Sequence, residues 1–116
     1  MTNKITDLTW IAGGRDFSHA EQMKMALDML PREREWLITG AAKGADIMAE
    51  KFWRNSGLPY VGIPARWREL GKRAGYVRNV EIAGWNPNRL LVLPGGRGTD
   101  MAIRLAEDME IEVIYG

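Results

Sequence analysis

Five short apolar runs place the strongest constraint on how this chain can fold. Each run holds four or five residues, and amphipathic or turn-rich segments separate it from the next: residues 8–12, 36–39, 60–63, 90–93 and 111–115. Most of these runs are nearly continuous in apolar residues rather than alternating, which is typical of strands that are covered on both faces of a sheet. The runs therefore predict a parallel sheet of about five strands.

Helical patterns fill the intervals between these runs. Apolar residues recur every three or four positions in four segments, residues 20–30, 45–55, 75–83 and 99–109. Ser18 is predicted to cap the first helix and Thr99 the fourth. This alternation predicts an α/β fold, a Rossmann-like, three-layer, doubly wound parallel sheet with strand order 3-2-1-4-5. The length of 116 residues fits a single domain, residues 1–116.

Composition narrows the classes of function. The formal net charge of +1 gives no electrostatic drive toward nucleic acid or an anionic membrane. The absence of cysteine excludes disulfides and thiolate metal sites, and a single histidine argues against an imidazole zinc site, so neither a metal nor a cofactor is predicted. No apolar run approaches the roughly 18 residues of a membrane span, and the polar N-terminus does not resemble a signal peptide. We expect a cytoplasmic protein that does not enter membranes.

The segments after the first, second and fourth predicted strands hold the most unusual residues of the chain. Because ligands of open α/β sheets bind beyond the carboxyl ends of the strands, these segments are predicted to form one site. The candidate binding residues in them are Gly13, Gly14, Arg15, Gly40, Lys43, Gly44, Asp46, Pro94, Gly95, Gly96, Gly98 and Thr99.

The fourth-strand segment carries the strongest local signal. Its three glycines within four positions let the backbone approach a ligand, and the start of the next helix offers amides suited to phosphate. A tight turn that needs glycine for geometry alone is the alternative. Lys43 is predicted to meet a phosphate as a point charge. Asp46 either accepts from a ribose hydroxyl or interacts with the dipole of its own helix.

Other polar and aromatic residues have two interpretations each. Arg15 either binds phosphate through both of its guanidinium branches or pairs on the surface with Asp16. Trp67 either stacks on a base or packs its loop onto the body of the domain. Arg78 and Asn79 either face the site or belong to a solvated helix face.

Aromatic residues elsewhere lead to expectations about the core and the surface. Phe17 is predicted to lie in the core, and His19 to be a surface residue at a helix start. Five tryptophans are many for one small core, so Trp53 and Trp85 are candidates for exposed apolar surface. Exposed tryptophans of this kind favour a homo-oligomer.

Five ordered motifs, GGRDF, TGAAKGAD, PARW, AGYVRN and PGGRGT, resemble the SLOG superfamily, most closely its small single-domain branch related to YspA and YpsA. The resemblance covers residues 10–113. It implies a Rossmann-like domain that binds a nucleotide or a nucleotide-derived ligand, such as an ADP-ribose-like molecule or a nucleoside phosphate, as a sensor or sequestering module. Relatives commonly dimerise, which again implies a homo-oligomer.

A more distant similarity, to the cytokinin-activating phosphoribohydrolases, raises the question of catalysis. In those enzymes the PGGxGT motif continues into two glutamates, whereas Met101 and Ala102 stand at the corresponding positions here. One alternative is therefore a nucleotide N-glycosidic hydrolase that uses Asp46, Asp100 or Arg78. A second is single-stranded nucleic-acid binding through the basic, aromatic-containing residues 66–73, which the near-neutral net charge disfavours.

Overall fold

A five-stranded, all-parallel sheet forms the centre of the protein, as seen in a computed structural model that describes residues 7–31 and 35–116. The strands are β1 (Asp7–Ala12), β2 (Glu35–Thr39), β3 (Tyr60–Gly62), β4 (Arg89–Val92) and β5 (Glu112–Tyr115). Their order in the sheet is β3-β2-β1-β4-β5, and every neighbouring pair is parallel. The predicted α/β fold with strand order 3-2-1-4-5 is confirmed.

Helices connect the strands. They are α1 (Ala20–Asp28), α2 (Ala45–Asn55), α3 (Trp67–Leu70), α4 (Ala74–Ala83) and α5 (Arg97–Asp108), and a 3-10 turn (Gly71–Arg73) joins α3 to α4. The sequence did not predict α3 or the 3-10 turn, because one helical turn is too short to show a periodic pattern. Within the described ranges, no helix has the length and apolar character needed to cross a membrane.

Successive residues of the central strands pack into two different apolar layers. Ile11 of β1 belongs to a cluster with the inner faces of α1 and α2. Its neighbour Trp10 packs instead with Ile82 of α4 and Ala102 of α5. Because helices cover both faces of the sheet, the strands do not alternate between apolar and polar residues in the sequence. Phe17 joins the first cluster, as predicted.

Two predicted helix caps and one predicted surface residue are wrong. The N-cap of α1 is His19 rather than Ser18, and no side chain caps that helix. The N-cap of α5 is Gly96, so Thr99 lies inside the first turn of the helix. Trp53 is 1% exposed, because it faces the sheet from α2, whereas Trp85 is 51% exposed as predicted.

A buried charged pair lies toward the amino ends of the central strands. Glu35 of β2 is fully buried, and it accepts hydrogen bonds from the Thr9 hydroxyl and, at 2.8 Å, from the Arg89 guanidinium. Burial raises the pKa of Glu35, and the hydrogen bond from Thr9 and the charge of Arg89 oppose that rise. This cluster is separate from the edge of the sheet where a ligand site was predicted.

Candidate functional site

Three loops meet at the carboxyl edge of the sheet. We name them by the strands that they follow: loop 1 (residues 13–19), loop 2 (residues 40–44) and loop 4 (residues 93–96). The Gly14 N–H donates to the Pro94 carbonyl at 2.8 Å, and the Gly14 carbonyl accepts from the Ala45 N–H at 3.1 Å. Loop 1 is thus bonded both to loop 4 and to the start of α2. The strand order places them together, because β1 lies between β2 and β4 and the winding reverses between β1 and β4.

Close backbone packing explains two of the glycines in these loops. Gly44 has a φ of 90°, and a Cβ there would lie 2.5 Å from the Arg15 carbonyl oxygen of loop 1. A Cβ at Gly95 would lie 2.7 Å from the Gly14 nitrogen. Any side chain at either position would push the loops apart.

The loops border a cleft of about 780 Å³, which also reaches residues of α3, α4 and α5. This volume is in the range of small-molecule sites in proteins. Most of the residues predicted from the sequence line it: Gly13, Gly14, Arg15, Gly40, Asp46, Trp67, Arg78, Asn79, Pro94, Gly95, Gly96, Gly98 and Thr99.

Three candidates from the sequence do not line the cleft. The Lys43 side chain is exposed on loop 2 outside it, and Gly44 packs against the backbone of loop 1. Asp100 is exposed on α5 and is also outside the lining. Met101 and Ala102 of α5 do line the cleft.

Sequence reasoning missed several lining residues, and some of them lie inside the motifs that it used. Tyr76 and Arg97 were passed over, whereas Asp16, His19 and Lys72 were considered for other roles and not assigned to this site. Arg97 lies between two glycines already assigned to the site, and Tyr76 lies two residues before Arg78 on α4. Their positions in the motifs were the available signal. Lys72 belongs to the basic segment 66–73, and nothing in the pattern around His19 distinguishes it from a surface residue.

Asp46 holds loop 2 in place. One of its carboxylate oxygens accepts from the Gly40 N–H at 3.0 Å and from the Ala42 N–H at 3.3 Å. Burial raises the pKa of Asp46 to about 6, although these two hydrogen bonds and the charge of Arg78 favour the ionised form. Asp46 therefore anchors the loop backbone, a role that the sequence did not suggest.

Arg78 lies across loop 2 from α4. Its Nη1 donates to the Gly40 carbonyl at 2.7 Å, and its Nε donates to Asn79 Oδ1 at 2.9 Å. A Cβ at Gly40 would lie 2.5 Å from the guanidinium carbon of Arg78, so glycine is what allows this close approach. Burial lowers the pKa of Arg78; the charge of Asp46 opposes this effect, and that of Arg15 adds to it. The guanidinium is oriented by two hydrogen bonds and lies within the electrostatic reach of Arg15.

An aromatic rim borders the cleft where α3 and α4 approach each other. The guanidinium carbon of Arg15 lies 5.3 Å from the centre of the Trp67 ring. The far edge of that ring would be 3.3 Å from a Cβ at Gly75, the second residue of α4. Trp67 is 47% exposed and Tyr76 is 50% exposed, which is unusual for large aromatic side chains. Trp67 is therefore held between loop 1 and α4 while much of its surface stays open.

The charges that line the cleft are mostly positive. Four cationic side chains and two carboxylates contribute to it: Arg15, Lys72, Arg78, Arg97, Asp16 and Asp46. The four cationic groups outnumber the two carboxylates, which leaves positive charge in excess. A cleft with this lining favours a negatively charged ligand.

Comparison of the chain with protein-family models, with curated proteins and with solved structures finds no match.

Proposed function

We propose that this protein binds a nucleotide or a nucleotide-derived ligand in the cleft, as a sensor or a sequestering module. The observation that carries the proposal is the convergence of loops 1, 2 and 4 with an uncapped helix start and an excess of cationic side chains. Free amides and the helix dipole at such a start favour phosphate, and the glycines of loop 4 leave them accessible. The five motifs that resemble the SLOG superfamily point to the same chemistry.

The parts of the ligand can be assigned to different walls of the cleft. Loop 4 and the first turn of α5 bind a phosphate, and Thr99 adds a hydroxyl there. Arg78, oriented by its hydrogen bonds to loop 2 and Asn79, supplies a fixed positive charge. A second anionic group of the ligand binds to Lys72 or Arg97, because these two side chains line the cleft and Lys43 does not. Trp67 offers an aromatic surface for a base.

A nucleotide N-glycosidic hydrolase is the second candidate, because Asp46 lines the cleft with a pKa of about 6, a value that suits a general acid. Two features make hydrolysis a weaker candidate than binding without catalysis. The Asp46 carboxylate is engaged by the amides of Gly40 and Ala42, and Met101 and Ala102 stand where the hydrolase motif has glutamates. The protein is incubated with nucleoside 5′-monophosphates and the mixture is analysed for free base, which distinguishes hydrolysis from binding. Release of base by the wild type but not by Asp46→Asn favours the hydrolase.

Isothermal titration calorimetry tests the binding proposal. The four common nucleoside 5′-monophosphates, ADP-ribose and pyrophosphate are titrated into the protein, and at least one nucleotide is expected to bind. The test variant is Gly96→Val, since a Cβ at Gly96 has no atom within 4 Å, so the fold has room for it while the approach to the amides is filled. We expect its affinity to fall at least 10-fold with an unchanged circular dichroism spectrum.

Arg104→Ala is the matched control, because Arg104 is exposed on the same helix and does not line the cleft. It removes a positive charge and is expected to bind like the wild type. Absence of binding to every ligand at millimolar concentration contradicts the proposal. So does a folded Gly96→Val variant with full affinity.

A further inference from the structure

The contact between Arg15 and Trp67 joins two elements that line the cleft. Arg15 belongs to loop 1, Trp67 is the first residue of α3, and the guanidinium carbon is 5.3 Å from the ring centre. At this distance a cation over a tryptophan face is attracted by the electrons of the ring. The guanidinium therefore lies over a face of the indole that a base would use for stacking.

The two partners of this contact differ in how firmly they are held. The indole ring comes so close to Gly75 that a Cβ there would be 3.3 Å from its edge, so Trp67 is packed beside α4 even though it is 47% exposed. Arg15 is exposed, and among the described residues its side chain makes no hydrogen bond or salt bridge. The guanidinium can therefore leave the ring at little cost beyond the contact itself.

The surroundings of Arg15 favour its movement toward an anion. Its charge is one of the causes that lower the pKa of Arg78, which means that the two guanidinium groups repel each other. A phosphate bound near both removes that repulsion, and an arginine can bind a phosphate through two parallel hydrogen bonds. An uncharged ligand offers Arg15 neither of these interactions.

We propose that Arg15 is a specificity-determining residue that selects phosphorylated ligands over unphosphorylated nucleosides, because it covers the stacking face of Trp67 until an anion draws it away. The inference rests on the proposed function and adds a discrimination that binding alone does not require. A nucleoside that stacks on Trp67 has to displace the Arg15 guanidinium from the ring, and it offers that guanidinium no new interaction in exchange. A nucleotide displaces it and provides a phosphate for it to bind.

Calorimetry on the wild type and on Arg15→Ala tests this role. Adenosine, guanosine, cytidine, uridine and their 5′-monophosphates are titrated into both proteins. Loss of the competing guanidinium is expected to tighten binding of the preferred nucleoside about 2- to 5-fold, the range of an exposed cation–π contact. Loss of a charged phosphate contact is expected to weaken its monophosphate at least 10-fold. The two affinities thus move in opposite directions.

Arg68→Ala is the matched control. Arg68 is the exposed residue next to Trp67 on α3, carries the same charge as Arg15 and does not line the cleft. Its removal is expected to leave the ratio of nucleotide to nucleoside affinity unchanged. A similar change in Arg68→Ala and Arg15→Ala would show a general effect of net charge and would overturn the inference.

A second readout needs no base. Pyrophosphate is titrated while tryptophan fluorescence is recorded, and the signal of Trp67 is isolated by subtracting that of a Trp67→Phe variant. The anion is expected to change Trp67 emission in the wild type and to leave it unchanged in Arg15→Ala. Pyrophosphate that binds by calorimetry without changing Trp67 emission in the wild type would overturn the inference.

The possible failures are distinguishable. If the wild type binds none of the monophosphates, ADP-ribose or pyrophosphate, both the proposed function and this inference fall. If it binds ADP-ribose or pyrophosphate but no monophosphate, only this inference falls. If it binds a monophosphate, but no nucleoside binds Arg15→Ala more tightly than the wild type, only the role of Arg15 falls.

Discussion

Replacement of Gly44 by alanine tests the contact between loops 1 and 2. Gly44 has a φ of 90° and a ψ of −127°, a region that other residues rarely enter. A Cβ there would also lie 2.5 Å from the carbonyl oxygen and 2.6 Å from the carbonyl carbon of Arg15. Because these are backbone atoms, relief of the clash requires loop 1 to move away from α2.

The expected loss of stability has two parts. The backbone conformation costs about 1–3 kcal/mol for a residue with a side chain. The clash with loop 1 adds about 1–3 kcal/mol, the usual effect of inserting a methyl group into a closely packed region. The sum of about 2–6 kcal/mol is large against the roughly 5–15 kcal/mol by which a typical domain is stable.

Gly57→Ala is the control that separates the two parts. Gly57 also has a positive φ, 78°, but a Cβ at that position has no atom within 4 Å. It should lose only about 1–2 kcal/mol, the cost of a left-handed backbone for an L-residue. Urea unfolding followed by circular dichroism gives both values. A Gly44→Ala variant that is no less stable than Gly57→Ala would refute the packing of loop 2 against loop 1.

Two further predictions concern the buried carboxylates. Since the pKa of Asp46 is raised from 3.8 to about 6, the folded state binds its proton more tightly, and Asp46 lowers stability as the pH rises through 4 to 6. The Asp46→Asn variant has no such titration. Between pH 4 and 6 its free energy of unfolding in urea should therefore rise relative to that of the wild type by up to about 3 kcal/mol. If the two proteins show the same dependence of stability on pH, Asp46 is not a buried titrating group. Arg89→Ala leaves Glu35 buried without its guanidinium and should cost about 3–5 kcal/mol by urea unfolding. Its nucleotide affinity should be unchanged, and a loss comparable to that of Gly96→Val would mean that the two edges of the sheet are coupled.

The sheet was predictable because each central strand is buried on both faces, which leaves a nearly continuous apolar run in the sequence. The adjacent residues Trp10 and Ile11 pack into different layers, so both are apolar and the alternation of a half-exposed strand is missing. The strand order followed from the regular alternation of strands and helices. The segment between β3 and α4 was not predicted, because a four-residue helix and a 3-10 turn leave no periodic signal.

The candidate site was predictable at the level of loops and less so at the level of side chains. Glycine-rich segments after strands indicate where the backbone of loops 1 and 4 comes close, and Gly14 and Pro94 are indeed hydrogen-bonded. The direction of a side chain depends on tertiary packing that the sequence does not display. Lys43 therefore lies outside the cleft, whereas Arg97 and Tyr76, passed over in the motifs, line it. The true cap of α5 was missed because glycine caps a helix without a side-chain oxygen.

Nuclear magnetic resonance of the ¹⁵N-labelled protein during a titration with pyrophosphate tests the central claim most directly. The claim is that loops 1 and 4 and the first turn of α5 form one pocket for negative charge, with loop 2 beside it. We predict that the amide signals of Gly14, Gly40, Gly96 and Thr99 shift together with one common affinity, while those of exposed helix residues such as Met25 stay in place. Shifts confined to a single loop, or scattered over the surface with different affinities, would contradict the account.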